Sequence, residues 1–403
     1  MKKNAATIVI MLLACCINAQ EQLKRSREIP IVAWLGVPEE VQSQERFEEM
    51  KDAGFNVGFS FYSNLFYAEE ALDIAEKTGI KLIIHCPEVE TNPREVVQRL
   101  KQHKAFFAYH LRDEPHINDF TYLGMLAEQI QLDDRTHPCY VNLFPNFADT
   151  MDLIGSATYR EYLEAFIKNV PTDLLSFDHY PVRMDEKGNR TLSGRWYENL
   201  EEIASVSRAF NRPFWAFILA SAHGDYPVPT VGEMKLQAYS NLAYGAQGLQ
   251  YFTYWHPASG GKWNFHHSPI NEDGKRSIIY DRIRAVNKEL EQLSGVFGGA
   301  KMISVWHTGK DIPAGTRRLT RLPQHVLALQ TDGNALVSLL QTDENRFMVI
   351  VNKDFRMPLQ LTVITDHTVK KILKDGSLIP ASLYASDMEI DAGDAAIYMM
   401  TED

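Results

Sequence analysis

Residues 80–115 read IKLIIHCPEVETNPREVVQRLKQHKAFFAYHLRDEP. The run Lys81–His85 has the length of a buried strand, and Arg94–His103 has the apolar spacing of an amphipathic helix. A second apolar run, Phe106–Leu111, follows that helix. Parallel strands need a helical crossover between them, so this order predicts a βαβ unit of a parallel sheet.

The same alternation continues on both sides of this stretch, between residues 30 and 298. The predicted strands are Ile31–Gly36, Val57–Tyr62, Lys81–His85, Phe106–Leu111, Cys139–Leu143, Leu174–His179, Phe214–Ala220 and Gly248–Trp255. The predicted helices are Glu39–Ala53, Ala68–Thr78, Arg94–His103, Tyr122–Gln131, Tyr159–Lys168, Tyr197–Phe210, Val231–Tyr244 and Ile278–Leu293. Eight βα units in about 270 residues predict the α/β class and a (β/α)8 TIM barrel. No G-x-G-x-x-G follows the first strand, which argues against a dinucleotide-binding sheet.

After Gly298 this alternation stops. Short β-branched or alternating runs follow, separated by Asp-Gly or Asn/Asp turns: Val326–Leu329, Ala335–Leu340, Phe347–Val351 and Leu359–Val363. Such runs are typical of antiparallel strands joined by tight turns. We therefore predict a barrel over residues 30–298, and a small C-terminal antiparallel β domain, β-sandwich-like, over residues 299–403.

Composition narrows the classes of partner. The chain has 403 residues with 52 acidic and 41 basic side chains, a formal net charge of −11. Without a long run of Lys or Arg, this balance argues against nucleic acid as a partner. Cys86 and Cys139 are too few for a disulfide scaffold, and we expect both to be buried thiols.

The amino terminus has the pattern of an export signal over residues 1–19. Lys2 and Lys3 precede the apolar run Ile8–Ala14, which is too short to span a bilayer. Leu-Leu-Ala-Cys at residues 12–15 resembles a bacterial lipoprotein box, which would make Cys15 a lipidated first residue. The alternative is ordinary cleavage after Ala19. Both predict a protein outside the cytoplasm, in the periplasm or on the outer membrane of a Gram-negative bacterium, touching a membrane only through a lipid anchor.

In a TIM barrel the reactive groups lie at the carboxyl ends of the strands. The polar and aromatic candidates there are Asp113 and Glu114 after strand four, Asn142 after strand five, Asp178, His179 and Tyr180 after strand six, His223 after strand seven, and Tyr254 and Trp255 after strand eight. Two carboxylates among aromatic side chains suit a sugar, since one can act as general acid while the other activates water or attacks carbon. Consecutive strand residues face opposite sides, so we expect only one of Asp113 and Glu114 to be functional.

Several of these residues have structural interpretations too. An Asp-Glu-Pro turn also suits the start of a helix, and Tyr254 and Trp255 could cap the core instead of stacking on a sugar. Glu233 follows Thr230 in the spacing of a helix capping box, which explains it without catalysis. The spacing of His256, His266 and His267 is poor for chelation, so we expect neither a metal nor a cofactor. The sequence also has no G-x-S-x-G nucleophile elbow.

Three segments together resemble the clan A glycoside hydrolases, in particular family 42-type beta-galactosidases and their relatives in gut bacteria. They are Tyr109–Pro115 (YHLRDEP), Asp178–Pro181 (DHYP), and the stretch from Gln237 through Gly248 to Trp255. The resemblance covers most of the chain, including the C-terminal domain with Ala392–Ala396 (AGDAA) near its end. It implies a carbohydrate substrate, with Glu114 as the proton donor.

One feature departs from this family. Clan A enzymes place a nucleophilic Glu at the end of strand seven, where this chain reads FWAFILASAH over residues 214–223. Glu272 lies in a turn after strand eight and is peripheral. Asp178 is therefore the expected base or nucleophile. A separation of about 6.5 to 9.5 Å from Glu114, which we favour, would indicate inversion, and about 5 to 5.5 Å would indicate a covalent intermediate.

The sequence therefore predicts an exported glycoside hydrolase with Glu114 as general acid and Asp178 as base or nucleophile. A catalytically inactive carbohydrate-binding lipoprotein on the same barrel is the main alternative, and a structural surface protein is a third. Sugar, linkage, mode of action and oligomeric state stay open at this point.

Overall fold

A computed structural model describes residues 21–24, 28–148, 151–257, 263–384 and 388–400. The predicted signal peptide over residues 1–19, with Cys15, lies outside the described residues.

Eight parallel strands form a barrel. They are β1 (Ile31–Trp34), β2 (Val57–Phe61), β3 (Lys81–His85), β4 (Phe106–Asp113), β5 (Cys139–Asn142), β6 (Leu175–Phe177), β7 (Phe214–Leu219) and β8 (Gly248–Phe252). Hydrogen-bonded neighbours follow the order β5–β4–β3–β2–β1–β8–β7–β6. A parallel bridge between Leu143 and Phe177 joins the two ends of this order. The TIM-barrel prediction is thus confirmed.

Helices surround the barrel. They are α1 (Gln44–Asp52), α2 (Leu65–Thr78), α3 (Glu88–Thr91), α4 (Pro93–Leu100), α5 (Phe120–Asp133), α6 (Tyr159–Asn169), α7 (Trp196–Phe210), α8 (Val231–Ala243), α9 (Ile278–Gln292) and α10 (Ser294–Phe297). The first predicted helix began too early, because Glu39–Val41 is a separate 3-10 turn. A hairpin of Val182–Met184 and Arg190–Leu192, which the sequence did not predict, follows β6 at the mouth of the barrel.

The capping box predicted for the seventh helical stretch is present at the start of α8. The Thr230 hydroxyl accepts from the Glu233 amide at 3.2 Å, and the Glu233 carboxylate accepts from the Thr230 amide at 2.8 Å. Glu233 is buried and also binds the guanidinium of Arg190 in the hairpin, at 2.6 and 2.7 Å. Its role is therefore structural.

The C-terminal domain consists of antiparallel sheets, as predicted. Its strands are β9 (Lys301–Thr308), β10 (Val326–Thr331), β11 (Ala335–Gln341), β12 (Arg346–Asn352), β13 (Leu359–Thr365), β14 (Lys370–Ile372), β15 (Leu378–Pro380), β16 (Met388–Ile390) and β17 (Ala395–Met400). One sheet has the order β9–β11–β12–β17–β14–β15, and the other has the order β10–β13–β16.

This domain packs directly on the barrel. Helix α8 contacts β11 and β12, and one apolar cluster includes buried residues of both domains, while the C-terminal sheets have a second cluster of their own. The backbones approach so closely that a Cβ atom on Gly393, whose φ is +68°, would lie 1.9 Å from the Gly232 carbonyl oxygen. An ion pair between Lys235 and Asp394, 2.6 Å long, crosses the same interface.

Residues 21–24 lie against the end of the barrel opposite the mouth. The Leu23 amide donates to the Gly376 carbonyl, and the Leu378 amide donates to the Glu21 carbonyl, both at 2.8 Å. The Lys24 carbonyl is beside Gly295 in α10, which follows the last turn of α9. Since α9 runs back from the mouth, residues 21–24 are on the far side.

The remaining predictions about the core concern the cysteines. Cys86 and Cys139 are free and buried, as expected. Burial raises the pKa of each thiol to about 12. No helix in the described part of the chain is long and apolar enough to cross a bilayer.

Candidate active site

Asp113 and Glu114 both lie at the barrel mouth, against the expectation from strand alternation. The pairing of β4 with β5 shifts register between His110 and Arg112, and β4 ends at Asp113. Glu114 then takes a left-handed backbone conformation with φ of +47°, which is uncommon for a non-glycine residue. Its amide donates to the Asn142 carbonyl at 2.8 Å. Because the strand has already ended, two consecutive carboxyls belong to one site.

Asn142 connects two of the three carboxyl groups. Its Nδ2 donates to Asp113 Oδ1 at 3.0 Å and to Asp178 Oδ1 at 2.9 Å. The register that pairs Asp113 with Asn142 across β4 and β5 sets this contact, and Asp178 directly follows β6. The barrel therefore brings together Asp113, Asn142 and Asp178 from three neighbouring strands.

Glu114 and Asp178 share a hydrogen bond between their carboxyls, in which Glu114 is the donor. Burial and repulsion from Asp178 and Asp113 raise the pKa of Glu114 well above the usual range of a glutamate. Burial and the charge of Asp113 raise the pKa of Asp178, while the Asn142 hydrogen bond opposes that rise. The two carboxyls therefore interact directly, while the separation that would distinguish inversion from a covalent intermediate stays a prediction.

The carboxyl cluster is recessed but open to solvent. Asp113 is exposed, and Glu114 and Asp178 are half-buried. Even so, surrounding protein raises the pKa of Asp113, with the Asn142 hydrogen bond as the opposing effect. Solvent therefore reaches carboxyls whose pKa values the surrounding protein raises, and this recessed region, called the cleft below, is where a substrate can meet a group with a perturbed pKa.

Aromatic rings form one wall of this cleft. Tyr180 is nearly buried, with its ring centroid 5.4 Å from that of Tyr226 and 5.7 Å from that of Phe252. His223 stacks on Phe265 at 4.8 Å, and its Nδ1 is 3.0 Å from the Ser221 carbonyl. Both predicted residues therefore belong to the wall, although their rings are largely covered.

Three other predicted substrate-binding residues are buried. His179 is buried behind β6, where its Nδ1 contacts Asn199 of α7 at 3.0 Å, and burial lowers its pKa to about 4. Tyr254 is fully buried and packs on Phe55. Trp255 lies beneath Arg46 of α1 at 5.2 Å. Burial favours the core-cap interpretation of Tyr254 and Trp255 over the sugar platform, because β8 ends at Phe252 and its alternation does not extend to these residues.

The sequence interpretation missed the exposed aromatic rings at the mouth. Trp263, 6.1 Å from His223, is 50% exposed, and Phe61 at the end of β2 is 47% exposed. Arg183 of the hairpin lies over the Phe147 ring at 5.3 Å and the Tyr226 ring at 4.7 Å. Strand alternation predicts Phe61, since Phe59 faces inward, but Trp263 lies in a loop without a period and Arg183 in a hairpin that the sequence did not predict.

His85 and His110 were also missed. Their Nδ1 atoms are 3.0 Å apart, at the ends of β3 and β4, and the His110 ring is 4.6 Å from Phe59. Burial lowers the pKa of both imidazoles. His110 was visible in the sequence two positions after the inward-facing Ala108, which is the signal that could have placed it in the barrel interior.

The end of β7 has no carboxylate, as the sequence indicated. Ser221 is buried and its hydroxyl contacts Thr253 and Ser268, both at 2.8 Å. Over the described ranges, no group of three or more His, Cys, Asp or Glu side chains is arranged to hold a metal ion.

Part of the sequence is similar to a known protein family. Residues 144–293 match the family model Glyco_hydro_42, described as beta-galactosidase. This part of the chain is therefore similar to family 42 glycoside hydrolases, and we refer to it as the GH42-like domain. The matched span of the GH42-like domain includes Asp178, whereas Glu114 precedes it. No curated protein matches the chain.

Solved glycoside hydrolases share its fold at low sequence identity. A catalytic mutant of Gan42B, a GH42 beta-galactosidase from G. stearothermophilus, is 10% identical over 95% of this chain and 100% of its own, with a TM-score of 0.62. A family 39 glycoside hydrolase from the gut symbiont Bacteroides cellulosilyticus WH2 is 12% identical over 93% and 81%, with a TM-score of 0.54. The beta-galactosidase from psychrophilic Marinomonas ef1 is 12% identical, with a TM-score of 0.47; 66% of this chain matches it and spans 60% of its length.

Proposed function

We propose that this protein is a glycoside hydrolase in which Glu114 is the general acid and Asp178 the base or nucleophile. The observation that carries the proposal is that Asp113, Glu114 and Asp178 meet around Asn142 at the solvent-accessible barrel mouth. General acid catalysis needs a carboxyl that keeps its proton near neutral pH, and the raised pKa of Glu114 supports that role. The GH42-like domain supports a carbohydrate substrate, and beta-galactosides are the first to test.

Each group has a defined task in this proposal. Glu114 protonates the glycosidic oxygen as the bond to the anomeric carbon breaks. Asp178, which Asn142 keeps as a hydrogen-bond acceptor, provides the negative charge that activates water or attacks that carbon. Trp263, Phe61 and Arg183 are the proposed sugar contacts in place of Tyr254 and Trp255.

The test is sugar release by the wild-type protein from aryl glycosides, beginning with beta-D-galactosides, and from plant and host polysaccharides. Glu114→Gln keeps the shape of the side chain but has no proton to give, so kcat should fall about 10²- to 10⁴-fold. The loss should be greatest for poor leaving groups, which depend most on protonation. Asp178→Asn should abolish turnover for every leaving group, and the anomer of the product distinguishes inversion from retention.

Glu128→Gln is the matched control. Glu128 is exposed on α5, away from the mouth, and its replacement should leave kcat and KM unchanged. Equal activity of wild type and Glu114→Gln on a poor leaving group would overturn the role of Glu114.

A sugar-binding protein without turnover is the second candidate function. The absence of a carboxylate at the end of β7, where all described residues from Phe214 to His223 are buried and none is acidic, is the observation that favours it. Saturable sugar affinity with no release of product across the whole panel would establish this function and would end the catalytic assignments.

We propose further that the protein is exported and carries a lipid on Cys15. Residues 16–20 alone separate Cys15 from the docked Glu21, and six extended steps span about 20 Å. Because residues 21–24 lie opposite the mouth, such an anchor would leave the mouth open away from the membrane. Mass spectrometry of the mature protein tests this: a lipidated Cys15 is expected, and a free amino terminus at Gln20 would contradict it.

A further inference from the structure

A chain of hydrogen bonds runs through the barrel interior to Asn142. The Tyr140 hydroxyl donates to Gln250 Oε1 at 2.6 Å, and Gln250 Nε2 donates to Ser176 Oγ at 2.8 Å. Ser176 then donates to Asn142 Oδ1 at 2.9 Å. These four side chains come from β5, β6 and β8, and each is at most 2% exposed. None of them was a candidate from the sequence except Asn142.

Proton counting gives this chain one direction. The Tyr140 hydroxyl lies 2.8 Å from Ser176 Oγ as well as 2.6 Å from Gln250 Oε1, so its single hydrogen serves one of these two oxygens. In both cases the Ser176 hydrogen is the one that serves Asn142 Oδ1. Asn142 must then present its oxygen to Ser176 and both hydrogens of its Nδ2 to Asp113 and Asp178. The opposite orientation of the amide would set its oxygen against two carboxylate oxygens, which repel it.

Glu114 receives no hydrogen bond from this chain. Its carboxyl contacts Asp178, and Asn142 meets Glu114 only through its backbone carbonyl, which accepts from the Glu114 amide. A donor stabilises the ionised form of the carboxyl it serves. The amide therefore favours charge on the two aspartates and leaves the proton to Glu114.

We propose that Tyr140, Gln250 and Ser176 are positioning residues that fix the Asn142 amide, so that the shared proton resides on Glu114 and Asp178 stays ionised. This deepens the proposed function, because it explains how two carboxyls in contact take different roles. Without the chain, only the two aspartates would hold the Asn142 amide, so it would be fixed less firmly and the difference between Glu114 and Asp178 would shrink.

The other titratable groups around the pair do not explain why the proton resides on Glu114 and not on Asp178. Those that interact with Glu114 or Asp178 are Asp113 and the phenols of Tyr159, Tyr162, Tyr180, Tyr226 and Tyr140 itself. The largest causes that shift the pKa of either carboxyl are burial, the neighbouring carboxyls and the Asn142 hydrogen bond, and none of these is a cation. The neutral amide of Asn142 thus does what a cation does in many carboxylate sites.

The experiment removes hydrogen bonds of this network in the barrel interior, at positions away from the cleft. Ser176→Ala removes the hydroxyl that orients Asn142, and Gln250→Met keeps the volume while removing the amide. Ser338→Ala is the matched control, since Ser338 is a fully buried hydroxyl in the C-terminal domain that donates to the Ala243 carbonyl. Carboxyl ¹³C NMR titration of the full chain, assigned with Glu114→Gln and Asp178→Asn, measures each ionisation without any turnover.

In Ser176→Ala and Gln250→Met, the pKa of Asp178 should rise and that of Glu114 should fall, each by about one unit. Where wild type turns over a glycoside, the acid limb of its kcat profile should move upward with Asp178 while KM changes less than about twofold. Ser338→Ala should titrate like wild type. Two variants are used so that the proposal can still be tested if one of them does not fold.

If Glu114 and Asp178 have the same pKa values in the folded variants as in the wild-type protein, the proposal is overturned. If wild type releases no sugar from any substrate, the proposed function fails, yet the titration still decides whether the chain sets the location of the proton. The two failures are therefore distinguishable.

Discussion

Glu114 owes its chemistry to a backbone angle and to its neighbours more than to its residue type. The left-handed turn after Asp113 brings its carboxyl onto Asp178, where burial and like charge favour the protonated form. This arrangement suits a general acid, but it costs stability whenever the site must ionise, because the folded protein then holds like charges together.

This cost should appear as a loss of stability with rising pH. The raised pKa of Glu114 means that the folded state binds this proton more tightly than the unfolded chain does. Its contribution to stability is complete below the unfolded pKa of about 4.3 and is lost as pH rises through the folded pKa. Glu114→Gln removes this loss, so its Tm minus that of wild type should grow from pH 4 towards alkaline pH.

Thermal unfolding of both proteins and of Glu128→Gln between pH 4 and pH 9 measures this difference. A difference that stays constant with pH would show that the pKa of Glu114 is not raised in the folded state.

Tyr254 and Trp263 provide a second comparison at this scale. The Tyr254 hydroxyl is buried and has no hydrogen-bond partner among the described residues. Tyr254→Phe should therefore leave kcat and KM within about twofold and should stabilise the fold by about 1 kcal/mol. Trp263→Ala removes a half-exposed ring at the mouth and should raise KM about 3- to 10-fold with little change in kcat.

Steady-state kinetics and denaturant unfolding of the two variants test this assignment. The opposite pattern, a raised KM for Tyr254→Phe and none for Trp263→Ala, would restore the sequence interpretation in which Tyr254 contacts the sugar.

Among the elements, α8 follows its local sequence signals, whereas β4 extends beyond them. Helix α8 begins where its capping box predicts, because both hydrogen bonds of the box join residues three apart in the sequence. Strand β4 extends two residues beyond its apolar run to reach Asp113. That extension depends on pairing with β5, which lies about thirty residues further along, so a local pattern does not contain it.

Helix α8 also allows a test of whether Glu233 acts as nucleophile in place of the carboxylate that the end of β7 lacks. Glu233→Gln should leave kcat unchanged, because its carboxylate is committed to Thr230 and Arg190. The same change should lower the free energy of unfolding by about 2 kcal/mol, since it leaves the half-buried Arg190 charge without its partner. Glycoside hydrolysis and urea unfolding, with Glu128→Gln as control, give both numbers. A large loss of kcat in a stable Glu233→Gln protein would make Glu233 catalytic.

At the scale of the whole molecule, the two domains share one core. Helix α8 is buried on one side by the barrel and on the other by β11 and β12, and the segment Ala392–Ala396 lies at that contact. Asp394 binds both Lys235 of α8 and Lys374 of its own domain. The C-terminal domain is therefore part of what keeps α8, and with it β7 and the mouth, in place.

Removal of residues 299–403 should expose this face of α8 and prevent the barrel from folding. The full chain should unfold in a single calorimetric transition, with equal calorimetric and van't Hoff enthalpies. The chain ending at Gly298 should show no cooperative transition. Two separate transitions in the full chain, or a truncated barrel that melts cooperatively, would show that the domains are independent.

The sequence by itself determined the barrel, the β domain and the strand ends where chemistry is expected, because strand and helix periods and capping boxes depend on residues close in the chain. It also identified Glu114, Asp178 and Asn142 as members of one mouth, since parallel strands end on one side. Only the tertiary structure decided that Asp113 and Glu114 both lie at that mouth, that Glu114 interacts with Asp178, and that Tyr254 and Trp255 are buried. These depend on the register of β4 against β5, the early end of β8 and one left-handed residue, and so on contacts between strands far apart in the sequence.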